Sequence, residues 1–171
     1  CNGLREWNKT FLETDFKLTD GMPFKQRFKS FNIRKTEELV NYGLGGGRVA
    51  PSIKQFSGVH LEADEYHEML SKTDNNTVVI DVRNAYESAI GHFAPPPGGA
   101  ELIDPKMRNS HDFAGWLNLK ETQQKLTGKK VMMYCTGGIR CERAAALINQ
   151  MTTVSHDFKT DGVYELRGGI E

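Results

Sequence analysis

Apolar positions along the chain follow two periods, and their order sets the expected fold. "TVVIDVR" at 77–83, "KKVMMYC" at 129–135 and "GVYEL" at 162–166 are short apolar runs of the kind buried on both faces of a parallel sheet. "HLEADEYHEML" at 60–70 reads as a brief strand turning into a helix, with Leu61, Tyr66, Met69 and Leu70 as its apolar set. "FAGWLNLKETQQKL" at 113–126 and "IRCERAAALINQM" at 139–151 carry helical spacing. Strands alternating with helices predict an α/β domain with a parallel sheet and right-handed crossovers. Between them, 93–110 predicts a long Pro/Gly loop, and such loops inside compact domains tend to be functional or disordered. Phe113 and Trp116 recur at helical spacing and are expected in the core.

The front of the chain has a different texture. "LREWNKTFL" at 4–12 predicts a short helix, and "PFKQRFKSFNIRK" at 23–35 an extended run. There Lys25, Arg27 and Lys29 alternate with Phe24 and Phe28, the period of a strand with one basic and one aromatic face. Such a face can hold phosphates and stack bases, or its lysines can guard a sheet edge against pairing. "YGLGGGRVAPS" at 42–52 is glycine-rich and is the best linker candidate.

Composition narrows the class. The 171 residues are 38% hydrophobic and 26% charged, which describes an ordinary globular protein without a transmembrane run. Net charge is zero, but residues 1–60 carry ten Lys+Arg against six Asp+Glu, so the front is the polyanion-facing half. Three cysteines are too few for a disulfide framework and fit a reducing compartment, which makes a cytoplasmic location the expectation. The start, "CNGLREW", reads as the middle of a longer chain.

Candidate chemistry concentrates in "YCTGGIRCERAAAL" at 134–147. Cys135 follows an apolar strand and opens onto a helix, the place where ligands sit in α/β domains. Gly137 and Gly138 let the backbone turn so that several N–H groups meet at one spot, and the helix start adds positive charge there. That field turns a thiol into a thiolate nucleophile. Arg140 can reinforce it, or pair with Glu142 or Glu87. Cys141 reads either as a buried small residue or as a resolving thiol. The arginine of the cysteine-phosphatase loop comes six positions after its cysteine, whereas Arg140 comes five after Cys135, so the loop is short for phosphate. The histidines show no metal-ligand spacing around the cysteines, and neither a metal nor a cofactor is expected.

"VVIDVRNAYESAIGHF", with Asp81, Arg83, Glu87, Gly91 and His92, resembles the first signature of rhodanese domains, and the six-residue loop from Cys135 resembles their active-site loop. With "GVYELRGGI" the resemblance runs over about 59–171. More narrowly, "MYCTGGIRCERA" and the preceding "PFKQRFKSFNIRKTEELV" resemble the rhodanese-type tRNA uridine hydroxylases and their eukaryotic rhodanese-domain relatives.

The resemblance implies a rhodanese-like five-stranded parallel sheet flanked by helices over 59–171. A linker at 46–58 and the C-terminal part of an α+β ferredoxin-like domain at 1–45 would precede it. Cys135 and Arg140 would be catalytic. Thr136, Gly137, Gly138, Ile139 and Cys141 would line the substrate loop, with Lys25, Arg27 and Lys29 gripping tRNA phosphates. Asp81 and Arg83 would brace the loop by ion pairing. Thr136 stands where thiosulfate sulfurtransferases often have a basic residue. A Cys135 persulfide made from a small sulfur donor and passed to an acceptor is the alternative activity. A non-catalytic binding module is a third reading, against which an intact Cys135 loop speaks. No membrane partner is expected.

Overall fold

The computed structural model describes residues 1–14, 16, 21–30, 32, 38–44, 50–72 and 74–171. It divides into two compact units, Cys1–Glu37 and Glu38–Glu171.

In the first unit, α1 (Asn2–Trp7) is followed by a 3-10 turn, Lys9–Phe11. The continuous helix expected over 4–12 is broken because Asn8 leaves helical geometry and its side chain accepts from Thr10 N at 2.9 Å. Asparagine competes with the helix backbone in this way wherever it can cap a new turn. The basic run is not a strand where it is described. Phe24–Gln26 forms a 3-10 turn led by Pro23, with Gln26 N donating to Pro23 O at 2.8 Å. Phe24 and Phe28 are 86% and 95% exposed, so the aromatic side chains face solvent, though not from a strand. Residues 31 and 33–35 of that run, and 45–49 of the glycine-rich stretch, lie outside the described residues.

The second unit carries α2 (Ile53–Phe56), β1 (Val59–Leu61), α3 (Ala63–Ser71), β2 (Thr77–Asp81), α4 (Ala85–Ile90) and β3 (Glu101–Ile103). It continues with α5 (Asp112–Leu117), α6 (Lys120–Leu126), β4 (Lys130–Tyr134), α7 (Ile139–Val154) and β5 (Val163–Leu166). The five strands form one parallel sheet in the order β1-β5-β4-β2-β3, as the alternating pattern predicts. β2 is buried at every position, which is why it reads as an unbroken apolar run. Two differences from the sequence reading stand out. The Pro/Gly stretch contains β3, too short and too polar at Glu101 to announce itself. The helix expected over 113–126 is two helices, parted where Asn118 Nδ2 bonds back to Ala114 O at 2.7 Å and Leu119 is extended.

The sheet alternation sorts the core into two layers. Val78, Ile80, Val131, Met133 and Val163 pack with Phe113, Leu117 and Ala144 and Ala145 of α7 on one face. Val79, Met132, Tyr134, Leu61 and Leu166 pack with Tyr66 and Leu70 of α3 on the other. At one position an acid, Glu165, stands in the first layer: it is paired in register with His60 on β1 and Met133 on β4. Tyr42 is buried against Phe113, ring centroids 5.4 Å apart. Arg143 of α7 donates to Pro51 O and Asn149 to Phe56 O, so the backbone around α2 is bonded to α7. Among the described residues no helix is long and apolar enough to cross a membrane.

After β5 the chain turns back across the end of β4. Ile170 N donates to Cys135 O at 2.9 Å and Glu171 N to Thr136 O at 3.3 Å. That approach requires Gly169, whose φ is +77° and where a Cβ would lie 2.2 Å from Thr136 O. Gly98 has nearly the same φ, +76°, but open space around it. Gly98→Ala is therefore expected to cost only the left-handed backbone penalty of about 1–2 kcal/mol. Gly169→Ala should lower the thermal midpoint clearly further, because backbone cannot yield to backbone; equal midpoints for the two variants would refute this.

Candidate active site

Cys135 lies where β4 ends and α7 has yet to begin. Its loop turns through Gly138, which caps α7 at φ +85° with Gly168 N only 3.3 Å from where a Cβ would be. Gly138 N–H points at Cys135 Sγ, 3.1 Å away. Both Cys135 and Cys141 are free thiols and buried. Cys135 is lowered to about 6, first by a hydrogen bond from the Cys141 thiol, then by the Cys141 and Arg140 amides and the Arg140 charge, all outweighing its burial. Cys141 is raised well above the ordinary range by its burial and by the thiolate beside it. The pair thus divides its labour: Cys135 holds the charge, and Cys141 keeps its proton and donates it.

Around the loop runs a second set of bonds. Arg140 meets Glu87 of α4 through two parallel contacts, Nη1 to Oε2 and Nη2 to Oε1, each 2.7 Å. Thr136 Oγ1 donates to Glu87 Oε1 at 2.8 Å and accepts from Arg140 Nη2 at 2.7 Å. Glu87 is held there by the α4 capping box, in which it accepts from Asn84 N at 3.0 Å. The guanidinium of Arg140 therefore engages Glu87, the alternative to a direct loop role, and its charge reaches Cys135 from the side. Tyr42 Oη donates to Arg140 O at 2.9 Å.

Below the loop, Asp81 and Arg83 form a buried ion pair at 2.8 Å, with Arg83 also donating to Gly91 O at 2.6 Å. Asp81 accepts from Tyr134 Oη at 2.9 Å as well, which ties the end of β2 to the end of β4 next to the loop. His92 Nδ1 is 3.1 Å from Ser88 O, a hydrogen-bonded turn residue. Gly137 has open space about it, and Ile139 is half exposed. Lys25, Arg27 and Lys29 are exposed in the first unit, Arg27 with its Nε on Met22 O at 3.0 Å. No group of three or more acidic, histidine or cysteine side chains suited to a metal ion occurs among the described residues.

Sequence reasoning named Glu87 only as a possible partner and missed Tyr42, His60 and Glu165. The last left a legible signal: a carboxylate inside a run read as buried, "GVYEL". Tyr42 left none, since a tyrosine beside a glycine-rich stretch looks like loop.

A parallel α/β domain with a thiolate loop at a strand end is thus defined, and comparison with known proteins says which kind. The family model of the rhodanese-like domain matches residues 62–171, and the chain belongs to that family. "Rhodanese-like domain-containing protein 6" of Arabidopsis thaliana is 36% identical over 96% of this chain and 29% of its own length. The "tRNA uridine(34) hydroxylase" of Brucella ovis is 35% identical over 92% of this chain and 44% of its own. The chain therefore spans less than half the length of these relatives. A solved Rhodopseudomonas palustris structure titled as a possible tyrosine phosphatase aligns over 73% of this chain and 90% of its own at 19% identity and TM-score 0.47.

Two outcomes follow from the site. Iodoacetamide labelling of Cys135, read peptide by peptide, should be half-maximal at about pH 6; Cys141→Ala should move that midpoint upward by removing the largest stabiliser of the thiolate. An unmoved midpoint would show that the thiol pair is not coupled.

Glu87 is lowered from 4.5 to about 2, chiefly by its hydrogen bonds from Arg140. Its contribution to stability is then complete above about pH 4.5 and lost as the pH falls toward 2, a swing on the order of 3 kcal/mol. Denaturant midpoints taken across that window should fall in the wild type and stay flatter in Glu87→Gln.

Proposed function

We propose that this chain carries the cysteine nucleophile of a tRNA-modifying enzyme that hydroxylates the wobble uridine. The observation that carries the reading is the buried Cys135 sulfur at the end of β4, 3.1 Å from the Gly138 N–H in a loop of backbone amides that favours its thiolate form. A thiolate of this kind adds to C6 of a uracil ring, the electrophilic end of a double bond conjugated with a carbonyl. The electron pair moves to C5, which takes the terminal OH of an oxygen donor of the hydroperoxide class as its O–O bond breaks, the rest of the donor leaving as an alkoxide that accepts the C5 proton. Loss of the C5 proton and departure of the sulfur then return the thiolate and give the hydroxylated base. The loop amides and the α7 N-terminus stabilise the anion formed at the first step.

Three further points support this over sulfur transfer from thiosulfate. Arg140 is already neutralised by the bidentate contact with Glu87, and Thr136 brings no charge, so the loop suits a neutral ring better than a dianion. The Brucella relatives bear the name of a tRNA uridine hydroxylase. Lys25, Arg27 and Lys29, exposed beside the exposed Phe24 and Phe28, offer phosphates cations and bases stacking surfaces.

The test is nucleoside mass spectrometry of tRNA from cells lacking the protein, rescued with full-length wild type or Cys135→Ser. Loss of an oxygen-modified wobble uridine, restored by wild type and not by Cys135→Ser, is expected. Restoration by Cys135→Ser overturns the mechanism. Unchanged tRNA together with a 32 Da mass gain of Cys135 on thiosulfate treatment would point to persulfide chemistry instead, a single added sulfur atom.

A further inference from the structure

Behind the cysteine pair lies a group that none of this chemistry uses. Glu165 on β5 is 1% exposed, on the sheet face that packs against α7. Its Oε1 accepts from Gly58 N at 3.1 Å, and a Cβ at Gly58 would come within 2.6 Å of that oxygen and 3.1 Å of Ala145 Cβ. The carboxyl is therefore wedged under α7 one turn beyond Cys141. Its other oxygen, Oε2, is buried with no hydrogen-bond partner among the described residues and stands 3.8 Å from His60 Nε2.

His60 Nε2 is also 3.8 Å from Glu142 Oε1, and both of those side chains reach solvent, 31% and 43% exposed. A row thus runs from water through His60 to Glu165, and on β4 the register partner of Glu165 is Met133, two residues before Cys135 on the same face. The ionisable groups facing Glu165 are His60 from β1, Glu142 and Cys141 from α7, Cys135 from the loop and Tyr42 from the segment before α2.

An ionised carboxylate so enclosed would be costly unless paired, and an apolar residue would fill the place at less cost. Burial, then the Glu142 charge, then Cys135 raise Glu165 to about 7, against the opposing Gly58 hydrogen bond. It can therefore hold or release a proton around neutrality, depending on the charge at the cysteine.

We propose that Glu165 is the proton store of the Cys135 site, protonated while Cys135 is a thiolate and giving that proton up toward His60 once Cys135 forms a covalent bond. This rests on the reading of Cys135 as nucleophile. When the thiolate attacks, its electron pair becomes the new bond to sulfur and the negative charge passes to the substrate. With the sulfur neutral, the Glu165 O–H bond breaks, and the proton crosses to His60 and then to water. When the sulfur leaves again as thiolate, the proton returns. The buried layer so carries one negative charge at a time. Glu165 is a positioning residue: it acts on substrate only through Cys135.

Isotope-edited infrared titration of the full-length protein tests this. The carbonyl band of the protonated carboxyl is assigned by its loss in Glu165→Gln, then followed against pH in wild type and in Cys135→Ala. Removing the thiolate charge should lower the ratio of protonated to ionised Glu165 at pH 7 about threefold or more, the equivalent of half a pH unit. Alkylating Cys135 with iodoacetamide removes the same charge without a substitution and should give the same shift, which covers the case that Cys135→Ala does not fold. Superimposable titrations overturn the proposal, whatever the tRNA shows. Rescue of tRNA modification by Cys135→Ser would instead remove the nucleophile reading and leave the infrared result intact.

Discussion

The bidentate contact between Arg140 and Glu87 is the constraint on which the reactive loop depends. It joins the first turn of α7 to α4, and Thr136 is drawn into the same set of bonds, so both flanks of the loop are pinned by one carboxylate. Glu87 can serve in this way because the capping box of α4 already fixes its position. A planar fork matched to a carboxylate gives direction as well as attraction. The guanidinium is thereby held to Glu87 while its charge still lowers the Cys135 thiol.

That arrangement explains how a buried sulfur can be charged. Moving a thiolate away from water is expensive, and at Cys135 the cost is offset by several short-range donors: the Cys141 thiol, the Gly138 amide and the amides that open α7. Cys141 bears the complementary burden, a thiol held neutral by complete burial. Each cysteine would behave differently without the other, and neither property belongs to a single residue. Glu165 and His60 extend the same logic one layer deeper, where the parallel register of β1 and β5 sets them side by side.

The strand that ends at Cys135 is held from both sides. Tyr134 bonds to Asp81 at the end of β2, and the C-terminal turn donates two amides to the carbonyls of Cys135 and Thr136. Those two carbonyls are turned away from the sulfur and taken up, so that the loop presents N–H groups to the site. Gly169 permits this because the two backbones approach closer than any side chain allows, and Gly138 because its φ of +85° favours glycine.

The sequence by itself determined the parallel α/β class, the position of Cys135 between a strand and a helix, and the two-glycine turn beside it, because hydrophobic period and glycine are local properties that act over a few residues. It also carried a hint of Glu165, a charge in a run that was otherwise apolar. It misjudged the run around Lys25, where period two suggested a strand and Pro23 began a turn. It missed β3, whose three residues are fewer than a period can show. Only the tertiary structure decided that Arg140 turns to Glu87, that Tyr42 packs beside the α7 start, and that Cys141, His60 and Glu165 lie together behind the sulfur. Those relations join residues dozens of positions apart, and a side chain's partner and charge state depend on what packing brings near it and how much water is left there.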